Sequence, residues 1–423
     1  MKKRVSLSTT LALIFISIAL SVSLTMVFAM KTFSSTVNEV SKRQAMYDYL
    51  TEVDKSVRQN YKGSIDEVIL QEDLATAYMK AIGDAYADYL TADEYADHLR
   101  EVSGSKDGYG IELAQVGKDS QITVVSVDVD SPAANAGVKV GDVLVSIEGT
   151  VINHTAKDLL TAREILNDST KALVKVSRNK TEQAFNLSSA VYTIKSVDSR
   201  MIDNIAYIRI TQFNEQTAEQ FYAALDKLTA KNVEGFIFDL RDNRGGSLEA
   251  ASEMTGYLLP TGTFANSIAS DGTATPITST SAYVLRQNAI VLVNENTEGE
   301  AELFAGALQE CSVARVVGSK TFGRSRIQNY YALSSDNAAI KLSVAELSLT
   351  KAGSWEGEGI TPDVLEKTPE GYVNVNMLSE KQDTQLQVAL QEVNKPGADV
   401  TQITTTTKAT TKKTTTTTTA ESE

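Results

Sequence analysis

The stretch that decides the fold is AIVLVNENTEGEAELFAGAL, residues 289–308. Its first five residues are apolar and typical of a buried strand, and the Ala, Leu and Phe residues from position 301 onward are typical of a helix. Residues 298–302 are therefore predicted to form a sharp elbow between strand and helix. The first amides of a helix lack partners within the helix and the helix dipole makes that end positive, so the elbow suits an oxyanion.

The chemistry of this elbow is unusual. An enzyme built this way places a Ser, Thr or Cys nucleophile at the elbow. This chain instead has Gly299 between two carboxylates, Glu298 and Glu300. Because glycine carries no nucleophile, the sequence predicts the shape of a catalytic site without its reacting group.

Composition restricts the classes of function. The 423 residues are 42% hydrophobic and carry a formal net charge of −14. This length accommodates two or three domains with their own cores, and the acidic balance argues against a nucleic-acid partner. A single cysteine, Cys311, excludes an intrachain disulfide, and two distant histidines, His98 and His154, give no metal-binding pattern. No metal and no cofactor are predicted.

The two ends of the chain differ from its interior. After three basic residues, residues 5–30 are uncharged and long enough to span a bilayer. We predict a signal-anchor, with the basic flank in the cytoplasm and the bulk of the chain outside it. Cleavage near Ala29, which would release a secreted protein, is the alternative. Residues 395–423 are rich in Thr and Lys and are predicted to be disordered.

Residues 103–190 contain an ordered series of motifs. GYGIEL at residues 108–113 is a Gly-rich turn that enters a strand. SPAANAGVKVGDVLVSIEG at residues 131–149 gives a short helix, a Gly turn, a Gly-Asp turn and a strand ending in Gly. This series closely resembles a PDZ domain.

The PDZ resemblance implies capture of a peptide C terminus by strand addition, with backbone N–H groups binding the terminal carboxylate. Residues 158–166 would form the helix that lines the groove. A closed, purely structural module is the alternative, because fold alone does not establish function. The implied carboxylate loop is Gly108, Tyr109, Gly110 and Ile111.

From about residue 191 strands and helices alternate, as in α/β domains. Four further motifs occur in this part: YIRITQF at 207–213, DLRDNRGG at 239–246, VVGSKTFG at 316–323 and GITPD at 359–363. Together with the PDZ series they resemble the C-terminal processing (tail-specific) serine peptidases, and the resemblance covers residues 31–394.

The predicted fold is therefore multidomain α+β. Its parts are a transmembrane signal-anchor (1–30), a helical N-terminal segment (31–102), a PDZ domain (103–190), a ClpP/crotonase-like α/β protease core (191–370), a C-terminal helix (371–394) and the Thr-rich tail (395–423). Apolar residues at helical spacing in the N-terminal segment predict a face that is buried either in the core or in a dimer.

The resemblance also implies where the reaction would occur. The nucleophilic serine of the family aligns with Gly299 and its general base, a lysine, aligns with Arg324, whereas the supporting glutamine is kept as Gln328. An arginine stays protonated and cannot accept a proton from a hydroxyl. The expected member is therefore catalytically inactive.

The oxyanion region is altered as well. The Gly-Gly loop is kept at Gly245 and Gly246, but Glu300 brings a carboxylate that would repel a developing oxyanion. We predict that Arg324 forms an ion pair with Glu298 or Glu300 in the former active site.

The first hypothesis for function is a pseudoprotease that binds C-terminal or unfolded peptide tails through its PDZ groove. Its further partners would be an active paralogue or a second copy in a homodimer, and the membrane through residues 5–30. Two alternatives stay open. One is an active serine-type endopeptidase whose catalytic groups have moved, and the other is a structural envelope protein with both clefts closed. Candidate relocated groups are Thr297, Lys320, Ser325 and Cys311.

Overall fold

The computed structural model describes residues 7–117, 119–280, 285, 287–369, 371–372 and 374–395. The chain divides into two compact units, Met1–Asp73 and Leu74–Glu423. Nearly all of the predicted Thr-rich tail lies outside the described residues.

The helices are α1 (Leu7–Asn60), α2 (Glu67–Ala81), α3 (Ala92–Val102), α4 (Pro132–Ala136), α5 (Ala156–Asp168), α6 (Thr217–Thr229), α7 (Leu248–Leu258), α8 (Glu300–Glu310) and α9 (Thr384–Val393), with a 3₁₀ turn at Val375–Met377. The strands are β1 (Asp88–Leu90), β2 (Ser105–Gly108), β3 (Ile111–Val116), β4 (Gln121–Val127), β5 (Val143–Ile147), β6 (Thr150–Val151), β7 (Lys171–Arg178), β8 (Thr181–Ser188), β9 (Ala190–Thr193), β10 (Val197–Ile202), β11 (Ile205–Ile210), β12 (Gly235–Asp239), β13 (Gly262–Ala269), β14 (Ala274–Ser279), β15 (Asn288–Val293), β16 (Arg315–Gly318), β17 (Arg326–Ala332), β18 (Ala339–Leu349) and β19 (Val364–Leu365).

The first unit consists of α1 and the beginning of α2. Among the described residues, no helix combines the length and the apolar character that crossing a membrane requires. The signal-anchor stays a prediction. The predicted helices are present, but the apolar residues that suggested a buried face are exposed in this chain, so the prediction of a core face is wrong for them: Val53, Val57, Tyr61, Leu74, Tyr78 and Ile82. The dimer face stays a prediction, since helical spacing identifies an apolar face but not what covers it.

The segment around the PDZ motifs is an antiparallel sheet in the order β3-β4-β5-β7-β8, with β6 on β5. Alternate residues of its strands enclose one apolar core, which includes Ile122, Leu144 and Ile147. Strand β3 lies at the edge of the sheet, and the side chain of Arg163 on α5 reaches its backbone. An edge strand beside a helix is the arrangement that strand addition requires.

The second large sheet has the order β10-β11-β12-β15-β16-β19 and is parallel from β11 onward. Successive side chains of a strand face opposite sides of the sheet. Phe236 and Phe238 therefore pack with α6, α7 and α8, whereas Ile237 packs with α9 on the other face. The predicted α/β alternation thus gives a sheet covered by helices on both faces.

Parallel strands end at a common edge, so the residues that follow β12 and β15 lie together there. The ion pairs of Arg241 with Asp239 and Asp383 are fully buried at this edge and connect the sheet to the start of α9. Burial alone would raise the pKa of the Asp239 carboxyl, but the charge and hydrogen bonds of Arg241, the charge of Arg209 and the Tyr207 hydrogen bond together outweigh burial and lower this pKa to about 2. Gln216 precedes α6, and the buried Thr217 hydroxyl in the first turn accepts from the Asn214 N–H at 2.9 Å.

Candidate active site and peptide groove

The elbow lies between the end of β15 and the start of α8. Gly299 has φ 65° and ψ −119°, a conformation that side chains disfavour and that is typical of a strained nucleophile turn. Thr297 holds the segment that leads into Gly299, because its buried hydroxyl donates to the Leu240 carbonyl at 2.9 Å. The predicted strand-to-helix elbow is therefore present, with glycine at its strained position.

Arg324 lies directly against this glycine. A Cβ added to Gly299 would stand 2.7 Å from Arg324 Nη2, so the guanidinium occupies space that a serine at this position would need. Nη2 donates to the Arg244 carbonyl at 2.9 Å, and Nε lies 3.2 Å from Glu298 Oε1. The predicted ion pair is present, and its carboxylate partner is Glu298.

Glu300 brings a carboxylate into the oxyanion region and also occupies a hydrogen-bond donor there. Its side chain is 7% exposed, and its Oε2 accepts a hydrogen bond from the Gly246 N–H at 2.9 Å. A Cβ at Gly245 would collide with the same carboxylate oxygen. Burial raises the pKa of Glu300 above its ordinary value, although the Arg324 charge acts in the opposite direction. The backbone donor of the Gly-Gly loop is thus already bound by a group of this chain.

Glu302 connects positions 299 and 324, which the resemblance aligns with a catalytic pair. Its carboxylate accepts from the Gly299 N–H at 2.9 Å, from the Gly323 N–H at 2.7 Å and from the Arg324 N–H at 2.8 Å. The Thr321 hydroxyl donates to it as well. One buried side chain therefore holds the elbow and the residue 321–324 turn at a fixed separation.

The candidate relocated groups are not arranged for catalysis. Ser325 is 1% exposed and its hydroxyl lies 3.0 Å from Glu356 Oε2, away from solvent. Lys320 is exposed, and Cys311 caps the far end of α8, where burial raises the pKa of its thiol. The Gln328 amide donates to the Arg326 carbonyl at 2.9 Å.

The peptide groove lies at the edge of β3. The Tyr109 ring is buried and its hydroxyl donates to the Ser169 carbonyl at 2.6 Å, which fixes the loop. Neither the Tyr109 N–H nor the Gly110 N–H donates to any acceptor among the described residues. Arg163 reaches across the groove from α5 and donates to the Leu113 carbonyl at 2.8 Å. Sequence reasoning missed Arg163, because nothing in its local pattern indicates that it spans the groove.

These features define an α/β protease scaffold that carries a peptide-binding module, and comparisons with known proteins agree. Residues 204–365 match the model of peptidase family S41, and residues 108–188 match that of the PDZ domain. The carboxyl-terminal-processing protease of Synechocystis sp. is 28% identical over 328 residues, which cover 76% of this chain and 75% of the relative. The carboxy-terminal processing protease CtpA of Bacillus subtilis is 27% identical over 334 residues, 78% of this chain and 71% of its own length.

The fold agrees with a solved structure as well. A Bacteroides fragilis protein assigned to the S41 proteases superposes with a TM-score of 0.58 at 18% identity, over 80% of this chain and 96% of that one. The chain thus carries one region that matches peptidase family S41 and, before it, one region that matches the PDZ domain.

Proposed function

We propose that this chain is an S41 pseudoprotease, which binds peptide tails through its PDZ groove and does not cleave them. The observation that carries the proposal is the contact of the Arg324 guanidinium with Gly299, at the place where a nucleophile would stand. A side chain that stays protonated replaces the base, and it fills the space of the attacking group.

The oxyanion region supports the same proposal. Acyl transfer requires N–H donors aimed at the oxygen on which negative charge develops. Here the Gly246 N–H already donates to the Glu300 carboxylate. A scissile carbonyl would have to displace this buried carboxylate, and the anion that forms on the carbonyl would face it.

Peptide binding is supported by the groove. Strand β3 is the edge strand of its sheet, where Arg163 holds the Leu113 carbonyl, and the N–H groups of Tyr109 and Gly110 are free among the described residues. A peptide that adds as a strand would be held by main-chain hydrogen bonds, with its carboxylate on this loop. These features favour a binding protein over a structural module with both clefts closed.

The decisive experiment is a cleavage assay with the purified chain and unfolded proteins that have free C termini. Mass spectrometry of the products is expected to show intact substrate, while Bacillus subtilis CtpA serves as the positive control. Reproducible cleavage that disappears in Thr297→Ala or Ser325→Ala would refute the proposal and show that catalytic groups have moved.

We also propose that the chain acts outside the cytoplasm, held by residues 5–30. The support is the uncharged stretch after three basic residues. Membrane fractionation, protease treatment of intact cells and N-terminal sequencing would test this. A mature N terminus just after Ala29 would instead show a secreted protein, and a protease-protected cytoplasmic chain would refute both locations.

A further inference from the structure

Arg163 occupies the part of the groove along which a peptide tail would run. Strand β3 pairs with β4 on one side only, and the Leu113 carbonyl faces away from β4, where it accepts from Arg163 Nη2 at 2.8 Å. Strand addition uses such outward-facing carbonyls as acceptors for the N–H groups of the peptide. Arg163 and a bound tail therefore compete for the same oxygen.

The register of a tail shows which of its residues meets Arg163. The carboxylate loop precedes β3, so a tail that ends on this loop runs antiparallel to β3. Its last residue then lies opposite Ile111, and its third-last residue lies opposite Leu113. Directly opposite residues place their side chains on the same face of a sheet. Leu113 is 3% exposed and packs in one core with Ala162 of α5, so the third-last side chain of the tail faces α5 as well.

A tail that takes the Leu113 carbonyl leaves the Arg163 guanidinium without an acceptor. The contact with this carbonyl is the one hydrogen bond of the Arg163 side chain within the part of the chain that the structure describes, and no carboxylate of that part forms an ion pair with it. The helix is anchored at this point, because the neighbouring Ala162 is fully buried. The displaced guanidinium therefore stays beside the third-last residue of the tail.

We propose that Arg163 makes the groove selective for tails that have Asp or Glu as the third residue from the C terminus. The inference rests on the proposed function, because it names the ligand class of the same groove. An acidic side chain at that position gives the displaced guanidinium a charge-assisted, bidentate partner in place of the carbonyl. A basic side chain is repelled. For a neutral side chain Arg163 is a competitor only, so removal of Arg163 should help neutral tails.

The test measures binding of the full chain to fluorescent peptides of one length and sequence that differ only at the third-last residue, which is Glu, Gln or Lys. Arg163 is exposed, and exposed ion pairs are modest. At low salt the Glu tail is therefore expected to bind about twofold to fivefold more tightly than the Gln tail, and the Lys tail most weakly. The preference should shrink as salt rises, because ions screen exposed charges.

The charge-reversal variant is Arg163→Glu, whose folding is checked by its melting temperature. It should reverse the order of the Glu and Lys tails, whereas a purely structural role of Arg163 would change the affinity of all three tails by the same factor. Arg163→Lys keeps the charge without the planar fork and should keep part of the preference for Glu. The matched control is Lys157→Glu, an exposed change in the first turn of the same helix, which should leave the order of the tails unchanged.

The results separate this inference from the function on which it rests. Equal affinity of the Glu and Gln tails, or a preference for Glu that survives Arg163→Glu, would refute the inference and leave peptide binding intact. An affinity of the Glu tail that amidation of its C terminus does not change would refute the register that places the third-last residue beside Arg163. No measurable binding of any of the three tails would refute the proposed peptide-binding function itself.

Discussion

Restoring the family's catalytic pair should not be sufficient to restore its reaction. Gly299→Ser with Arg324→Lys supplies a nucleophile and a base and removes the guanidinium from the space of the serine Cβ. It leaves Glu300 bound to the Gly246 N–H. Removing one oxyanion donor costs about 10²–10³ in kcat. The triple variant with Glu300→Ala is therefore expected to cleave about 10²–10³ times faster than the double variant.

The assay compares initial rates of cleavage of one unfolded substrate by the single, double and triple variants. Gly299→Ser alone is expected to be inactive, and the strained φ of 65° should reduce its stability by about 1–3 kcal/mol. The matched control adds Glu249→Ala, an exposed change, to the double variant and should give no gain. A double variant as fast as the triple would refute the role given to Glu300. A triple variant that melts normally yet stays inactive would show that the scaffold lacks more than these three groups.

Three further predictions concern stability and binding. Burial raises the pKa of Glu300 in the folded state above about 4.3, its usual unfolded value, so stability is lost as pH rises from there through the folded pKa. The melting temperature of Glu300→Gln minus that of the parent should therefore increase as pH rises. A difference that does not change with pH would contradict the raised pKa of Glu300. Arg241→Leu leaves two buried carboxylates unpaired and should cost about 3–5 kcal/mol in urea unfolding, against about 0–1 kcal/mol for Arg315→Leu, whose side chain is 44% exposed. Arg163→Ala frees a carbonyl of the β3 edge and should tighten tail binding by roughly 1 kcal/mol, with Lys157→Ala on the same helix unchanged; weaker binding would show that Arg163 itself contacts the ligand.

The sequence was sufficient for the elbow. A run of five apolar residues followed by an Ala-rich segment specifies strand and helix locally, and the structure starts α8 at Glu300, directly after Gly299. The ion pair of Arg324 was predicted with the help of the family resemblance, which places Arg324 beside Gly299 and the two carboxylates that flank it. These features depend on local pattern and on chain order, which a sequence displays directly.

The long-range hydrogen bonds of the site could not be predicted from local sequence pattern. Glu300 and Gly246 are 54 residues apart, and their hydrogen bond depends on the rotamer of one side chain and on the approach of two loops. Arg163 and Leu113 are 50 residues apart, and their hydrogen bond likewise depends on the rotamer of one long side chain. Opposite charge made Glu298 and Glu300 equally suitable as the partner of Arg324, and only the structure shows that the ion pair is with Glu298.

The four hydrogen bonds of Glu302 have a consequence for protein engineering. Three of them bind the backbone N–H groups of residues 299, 323 and 324, so the separation of positions 299 and 324 does not depend on which side chains these positions carry. The pair can therefore be varied as a unit on a constant frame. A library of residue pairs at 299 and 324, made in the Glu300→Ala background, would sample nucleophiles and bases beyond serine and lysine without rebuilding the protein around them.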